Sequence, residues 1–264
     1  MQPIEVHGHR GSRGTHPENT FAAFEEAWRV GADWFELDIR PTADGDIVVF
    51  HDPGVDRTNA RRRDGGVIES VTPVVAMTRD ELDAFDVGFT QPELFPLQQA
   101  VPGSRIPSLV DVFRWLGRRP GISVNVELKA DGIPEDDTTA DVYCRRVADA
   151  MAAAPLDRMM MQSFDPRLVE ILKRRYPRLR TAVLYDHEQD YFATAEAVRA
   201  DGIGPFEALV NASVCAESRR RSLKLVPWTV NDMDRCEELV RMGVFGIITD
   251  FPERLRNLLS LNKT

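Results

Sequence analysis

Residues 34–52, WFELDIRPTADGDIVVFHD, contain two short apolar runs, 34–39 and 47–50, that we interpret as β-strands. Only seven residues separate these runs, and the Asp-Gly pair at 44–45 within that connection is a turn signal. Parallel strands need a crossover of about a dozen residues or more, so no helix fits between these two. The stretch therefore predicts two consecutive strands without a helix between them, which distorts any regular alternation of strands and helices.

Similar apolar runs recur along the whole chain and alternate with segments that have helical patterns. The helical segments carry start signals, such as Thr78 followed by Glu81 in a capping box, and Asp165 before Pro166. The strand candidates are residues 4–8, 34–39, 47–50, 122–128, 159–162, 181–184, 223–230 and 245–249. Eight strands that alternate with helices indicate an α/β fold, a distorted (β/α)₈ TIM barrel with a short connection after its second strand.

The length of the chain, 264 residues, fits one large barrel better than two average domains. We therefore predict a single domain over residues 1–264. Residues 53–106 contain one short helical pattern but are otherwise turn-rich, and the segment is too long for a simple loop. We predict that it is an insertion that caps the C-terminal face of the barrel.

Charge and apolar patterning argue against several kinds of partner. The formal net charge of −9 disfavours nucleic acids and anionic membranes, because binding to them depends on Lys and Arg. No run approaches the roughly 18 apolar residues of a membrane span, and the sequence starts without the pattern of a signal peptide. We expect a cytoplasmic protein that acts on a small molecule, and the oligomeric state is left open.

Three carboxylates lie in or at the ends of predicted strands, where the active site of a TIM barrel is built. Glu36 and Asp38 are two residues apart, so both side chains point to the same side of their strand, and Glu127 lies near the end of the fourth run. Three converging carboxylates would repel one another unless a hard cation held them, the alternative being separate surface ion pairs. We predict one divalent cation, Mg²⁺ or Ca²⁺, with Mn²⁺ also compatible.

Two histidines and two basic residues follow the same strands. His9 comes after the first run and His51 after the third, and imidazole near neutral pH can both take and return a proton. Arg10 and Lys129 offer positive charge to a phosphate. Trp228, near the end of the seventh run, is a candidate wall of the substrate pocket, with core packing as the alternative.

Together these motifs resemble the glycerophosphodiester phosphodiesterase family. The N-terminal signature consists of His9-Arg10-Gly11, Pro17-Glu18-Asn19-Thr20, Gly31-Ala32-Asp33, Glu36-Leu37-Asp38, Asp44-Gly45 and His51-Asp52. Further matches are Ile106-Pro107-Ser108-Leu109, Glu127-Leu128-Lys129, Ser163-Phe164-Asp165, Trp228-Thr229-Val230-Asn231 and Thr249-Asp250-Phe251-Pro252, so the resemblance spans nearly the whole chain.

The resemblance implies metal-dependent hydrolysis of a glycerophosphodiester to an alcohol and glycerol 3-phosphate. It implies a divalent cation on the three carboxylates, Arg10 and Lys129 on the phosphate, His9 as the base and His51 as the acid. The chain departs from the family pattern at Val110, where an acidic residue is usual, and over residues 60–64 and 89–104. These departures spare the candidate catalytic residues and leave the alcohol of the substrate open.

Three other functions share part of this pattern. A lyase-type phospholipase on the same barrel would cyclise its substrate and release a cyclic phosphate. A zinc amidohydrolase would use His7 and His9 as a His-x-His pair, but it needs more histidines after later strands, and beyond His51 only His187 follows. A non-catalytic binding barrel is disfavoured by the presence of both histidines and all three carboxylates.

Overall fold

The computed structural model describes residues 3–91, 93–134, 136–152 and 154–261. The start of the chain at residues 1–2 and Pro92 of the predicted insertion lie outside the described residues. The strands are β1 (Glu5–Gly8), β2 (Trp34–Pro41), β3 (Ile47–Val49), β4 (Gly54–Val55), β5 (Arg61–Arg62), β6 (Thr72–Pro73), β7 (Phe85–Asp86), β8 (Ser123–Leu128), β9 (Met159–Ser163), β10 (Arg180–Tyr185), β11 (Gly202–Pro205), β12 (Lys224–Leu225) and β13 (Gly246–Thr249).

The α-helices are α1 (Phe21–Arg29), α2 (Arg79–Leu82), α3 (Leu109–Gly117), α4 (Asp137–Met151), α5 (Pro166–Arg175), α6 (Tyr191–Ala197), α7 (Ala212–Arg220), α8 (Met233–Met242) and α9 (Pro252–Leu261). The predicted start signals are present at two of them. Thr78 forms a reciprocal capping box with Glu81 at α2, and Asp165 caps α5 immediately before Pro166. Among the described residues, no helix is long and apolar enough to cross a membrane.

Within the described part of the chain, eight parallel strands form the barrel in the order β12-β11-β10-β9-β8-β2-β1-β13. Backbone hydrogen bonds link the two ends of this order. Phe245 N–H donates to Leu225 O at 2.8 Å, and Ile248 N–H donates to Pro227 O at 3.0 Å. The barrel is thus nearly closed, and the predicted TIM barrel is confirmed.

The prediction that residues 47–50 form a strand of the barrel was wrong. Residues 47–50 contribute β3, which pairs antiparallel with β2 in a hairpin, with Ile39 opposite Val49 and Pro41 opposite Ile47. Gly45 in the connecting turn has φ 93°, a conformation that glycine adopts without strain. The connection is too short for a parallel crossover, so the chain turns back along β2 instead of continuing around the barrel.

The barrel strand that the prediction missed is β11. Its sequence contains two glycines and ends in a proline, which are turn signals when taken alone. The glycines are required by close packing: a Cβ on Gly202 would lie 2.5 Å from Lys224 O, and one on Gly204 would lie 2.5 Å from Leu184 Cδ2. The tertiary contacts thus override the local signal.

A second, smaller hydrophobic core lies outside the barrel core and joins β3 to the segment that follows it. We call it the insertion core. Its buried members are Val48, Phe50, Val55, Ala60, Val74, Met77, Leu82, Phe85 and Ile106. The predicted insertion therefore has apolar packing of its own.

Candidate active site

The β2–β3 hairpin returns the chain to the C-terminal end of the barrel. Phe50 N–H donates to Asp38 O at 3.0 Å, so the next residue, His51, stands beside Asp38 of β2. Buried Arg40 holds that residue in place, because its Nε donates to His51 O at 2.8 Å. His51 thus reaches the site from a hairpin rather than from a barrel strand.

A carboxylate orients the His51 ring. Nδ1–H donates to Asp52 Oδ1 at 2.8 Å, and Asn59 Nδ2 donates to the other Asp52 oxygen at 2.8 Å. The hydrogen bond from His51 is the main reason that the pKa of Asp52 falls to about 2, with partial burial acting in the opposite direction. Asp52 therefore stays ionised at neutral pH and leaves His51 Nε2 for other partners.

His9 has a similar arrangement at the end of β1. Its Nδ1–H donates to Asp250 Oδ1 at 2.7 Å, and Asn231 Nδ2 donates to the second oxygen at 2.6 Å. Burial is the largest influence on the pKa of Asp250 and raises it, but the interactions with His9 and Asn231 bring the pKa down to about 2. Burial lowers the pKa of His9, although Asp250 opposes this, so the neutral imidazole is favoured.

The three predicted metal ligands converge. Glu36 and Asp38 lie on β2, Glu127 is the register partner of Asp38 on β8, and one oxygen from each lies within 4.8 Å of the other two. All three are buried. Burial raises the pKa of Glu36 well above its usual value, and the charges of Asp38 and Glu127 add to the rise. Buried like charges at this distance favour a bound cation, and an all-oxygen donor set suits Mg²⁺ or Ca²⁺.

Arg10 and Lys129 lie against the same carboxylates. Lys129 Nζ is 3.0 Å from Asp38 Oδ1 and 2.6 Å from Glu127 Oε1, while Arg10 Nε is 3.3 Å from Asp38 Oδ2. Arg10 has φ 49°, which is uncommon for a residue other than glycine, and its backbone N–H donates to Glu36 Oε2 at 2.9 Å. Both cations are thus held within reach of a phosphate at the carboxylates.

Several residues around the site were not predicted to be functional, namely Arg13, Glu18, Asn19 and Asp250. Arg10 Nη1 donates to Glu18 Oε1 at 2.8 Å, and Arg13 Nε lies 2.5 Å from the other Glu18 oxygen. Asn19 Nδ2 donates to Asp38 Oδ2 at 2.9 Å. Glu18, Asn19 and Asp250 all belong to family motifs quoted above. Asp250 also follows the last barrel strand, so its strand-end position could have identified it as a site residue.

A cavity of about 520 Å³ opens beside His51. Residues of the barrel mouth and of the insertion line it together, including Arg10, Glu18, His51, Arg61, Phe89 and Leu94. The insertion is tied to the β1–α1 loop, since Gln98 Nε2 donates to Arg13 O at 2.6 Å and Gln99 N–H to Thr15 O at 2.8 Å. The cavity therefore connects the histidine to the inserted segment.

Trp228 lies outside the lining of this cavity, at the C-terminal side of β12. Its Nε1 donates to Gly204 O at 2.7 Å, and its ring centroid is 5.5 Å from that of Phe164 and 5.8 Å from that of Phe206. It is half-buried in this aromatic cluster. The structure thus places Trp228 at the mouth without bringing it into the cavity beside His51.

The geometry of His7 does not support a zinc amidohydrolase. His7 is fully buried, stacks on Trp34 at 5.3 Å, and has Nε2 at 3.2 Å from Glu5 Oε2. His187 is exposed in a loop. Among the described residues, the only group of three potential metal ligands is the carboxylate cluster.

Known proteins resemble this chain over nearly its full length. The model of the glycerophosphoryl diester phosphodiesterase family matches residues 9–254. A glycerophosphodiester phosphodiesterase of Caldanaerobacter subterraneus is 32% identical over 255 residues, covering 96% of this chain and 97% of that protein. A crystal structure from Silicibacter pomeroyi superposes with a TM-score of 0.92 at 27% identity, covering 98% of this chain and 94% of that one. That protein is assigned as a glycerophosphoryl diester phosphodiesterase. An Oleispira antarctica phosphodiesterase in complex with sn-glycerol-3-phosphate shares the fold, with a TM-score of 0.81 at 20% identity and 97% and 96% coverage.

Proposed function

Because the chain belongs to the glycerophosphoryl diester phosphodiesterase family and is a phosphoric diester hydrolase, we propose that it hydrolyses a glycerophosphodiester to glycerol 3-phosphate and an alcohol. One observation carries the proposal: three buried carboxylates converge at the barrel mouth that also holds two carboxylate-oriented histidines. Acid–base catalysis on a phosphodiester uses the two histidines, and the three carboxylates would hold a cation that stabilises the phosphate charge.

Glu36, Asp38 and Glu127 would hold the divalent cation. The donor set fits, because all the potential ligand atoms are oxygens and one from each residue lies within 4.8 Å of the other two. A bound divalent cation supplies Lewis-acid stabilisation of a phosphate oxygen. Magnesium, calcium and manganese all satisfy this chemistry.

His9 and His51 divide the proton transfers. In the assignment taken from the family resemblance, His9 accepts a proton from the attacking water, which fits the lowered pKa that burial gives it. His51 donates a proton to the departing alkoxide as the phosphorus–oxygen bond to the alcohol breaks. Asp250 and Asp52 keep the rings oriented, and Arg10 and Lys129 stabilise the charge on the phosphate oxygens.

Product analysis tests this proposal directly. With magnesium present, we expect glycerol 3-phosphate to form from at least one of glycerophosphocholine, glycerophosphoethanolamine and glycerophosphoglycerol, or acylglycerol 3-phosphate to form from a lysophospholipid. Phosphorus-31 NMR of each reaction identifies the product. A cyclic phosphate as the final product would instead support the lyase-type reaction, and the absence of any product from all four substrates would contradict the proposal.

We further propose that residues 53–106 form the cap that selects the alcohol portion of the substrate. Two exposed leucines of the insertion allow a matched test, because Leu94 lines the cavity and Leu97 does not. Leu94→Ser is expected to change the relative kcat/KM values for the four substrates by about tenfold, as loss of one apolar contact typically does. Leu97→Ser is the control and should leave the ratios unchanged.

Shortening the loop gives the stronger version of this test. Replacement of residues 89–102 by a short glycine–serine linker is expected to alter the same substrate ratios while the barrel stays folded by circular dichroism. Unchanged ratios in a folded variant would mean that the segment has only a structural role.

A further inference from the structure

An arginine of the insertion has no role in the reaction described above. Arg61 lies on β5, within the stretch 60–64 that departs from the family pattern, and it lines the cavity beside His51. Its Cζ atom stands 3.9 Å from the centroid of the Phe89 ring, which also lines the cavity. Its Nη1 donates to the backbone carbonyls of Arg57 and Ala60. These contacts fix the guanidinium at the cavity wall.

The other strongly charged groups of the cavity are mostly paired. Arg10 and Arg13 share the carboxylate of Glu18, and Asp52 accepts from His51. Arg61, by contrast, has no carboxylate partner among the described residues, and its Nε and Nη2 groups have no hydrogen-bond acceptor there. Arg61 therefore presents an uncompensated charge and free donors to the cavity.

One acidic group opposes this charge. Glu93 lines the same cavity and has no ion pair among the described residues, and both Glu93 and Arg61 are exposed, so solvent and salt screen both charges. The ring that could bind a quaternary ammonium, Phe89, already carries the guanidinium on its face. Of these two unpaired charges, Arg61 is the one held in place by a ring and two backbone carbonyls, so it is the fixed charged group on this wall.

We propose that Arg61 is a specificity-determining residue that recognises a negative charge on the alcohol portion of the substrate. The inference rests on the proposed function and adds a preference, among glycerophosphodiesters, for those whose alcohol carries a phosphate or a carboxylate. A guanidinium offers two parallel donors to either group. A choline substrate would instead bring its cation toward Arg61.

Three substrates separate recognition of the alcohol from binding of the scissile phosphate. Glycerophosphoinositol 4-phosphate and glycerophosphoinositol differ by one phosphate on the alcohol, and glycerophosphocholine carries a cation. Arg61→Gln is expected to lower the kcat/KM ratio of the first to the second by about fivefold, as befits an ion pair that is partly exposed. The same variant should raise kcat/KM for glycerophosphocholine and leave that for glycerophosphoinositol unchanged.

The adjacent residue provides a matched control. Arg62 pairs with Asp64, with 2.6 Å between Nη2 and Oδ2, and does not line the cavity, so Arg62→Gln should leave the ratio unchanged. Arg61→Lys keeps the charge but lacks the fork and should give an intermediate ratio. An equal loss on all three substrates in Arg61→Gln would overturn the inference, because Arg61 would then act on the shared phosphate or on the fold.

Binding of the free alcohol keeps the inference testable without turnover. In an NMR titration, myo-inositol 4-phosphate should bind Arg61→Gln about fivefold more weakly than it binds the wild-type protein, in line with loss of one exposed ion pair. Equal affinities would overturn the inference. Failure of the wild-type protein to hydrolyse any of the three substrates would count against the proposed function and would leave this binding result to decide on Arg61.

Discussion

Replacing either His51 or His9 with alanine is expected to lower kcat on a glycerophosphodiester by about 10²–10⁴, the usual contribution of general acid or base catalysis. Each ring is held by its own carboxylate, at 2.8 Å for His51 and 2.7 Å for His9, and neither belongs to the hydrophobic cores. The loss should therefore appear in the rate with little change in the unfolding temperature. Near wild-type kcat in both variants would contradict the paired-histidine mechanism.

The nature of the leaving group separates the two roles. A nitrophenolate leaves without needing a proton, so the variant that lacks the acid should recover much of its rate on a nitrophenyl phosphodiester, and the variant that lacks the base should not. By the family resemblance, His51→Ala is the variant that recovers. Identical responses of the two variants would show that the histidines do not divide the proton transfers as proposed.

The chain offers a matched histidine control. His187 Nδ1 is 2.6 Å from Asp186 Oδ1, the same adjacent-residue pairing as in His51 and Asp52, but it lies in an exposed loop away from the cavity. His187→Ala should keep full activity.

The pH dependence of kcat/KM tests the state of His9. Since burial lowers the pKa of His9, the acid limb of the kcat/KM profile should lie below about pH 6.5, the ordinary pKa of histidine.

Removal of divalent cations is expected to abolish activity, and magnesium, manganese or calcium should restore it. Burial and the neighbouring carboxylates raise the pKa of Glu36, so an empty site costs folding free energy that a cation recovers. Magnesium at about 100 times its Kd adds roughly 2.7 kcal/mol, which corresponds to a rise of about 5–10 °C in Tm for a chain of this size. Full activity after prolonged incubation in excess chelator would contradict the metal site.

Glu127→Gln tests the ligand set itself. In chelator, this variant should unfold near the temperature of the chelated wild-type protein, because burial raises the pKa of Glu127 and the lost charge was unfavourable. In magnesium it should gain little stability and little activity. Glu26→Gln, which removes a surface carboxylate paired with Arg29, is the control and should respond to magnesium as the wild-type protein does.

The parts of the site that sequence reasoning predicted depend on local register. Glu36 and Asp38 share one face because strand side chains alternate, and Glu127 joins them because β8 lies beside β2 in register. The contact of His9 with Asp250 joins residues 241 positions apart, so a local pattern can place Asp250 at a strand end but cannot identify His9 as its partner. Such partners follow from barrel closure, which brings the last strand against the first.

The two errors in the predicted fold, at β3 and β11, have a related cause. The 47–50 run is as apolar as a barrel strand, and it differs from one in its short connection to β2 and its antiparallel pairing with that strand. In β11, glycines are required because Lys224 of β12 and Leu184 of β10 pack too close to leave room for side chains. Local composition describes what a segment can form, whereas its neighbours decide which strand it becomes.

The insertion core has a consequence for how this enzyme can diverge. Its buried residues pack largely against one another and against β3, apart from the core that stabilises the barrel. Because the two cores are separate, the insertion core can open locally while the barrel core stays packed, and a destabilising change there acts mainly on local stability. On the role proposed for residues 53–106, mutation in this segment can therefore alter substrate preference while the histidines and carboxylates of the active site stay unchanged.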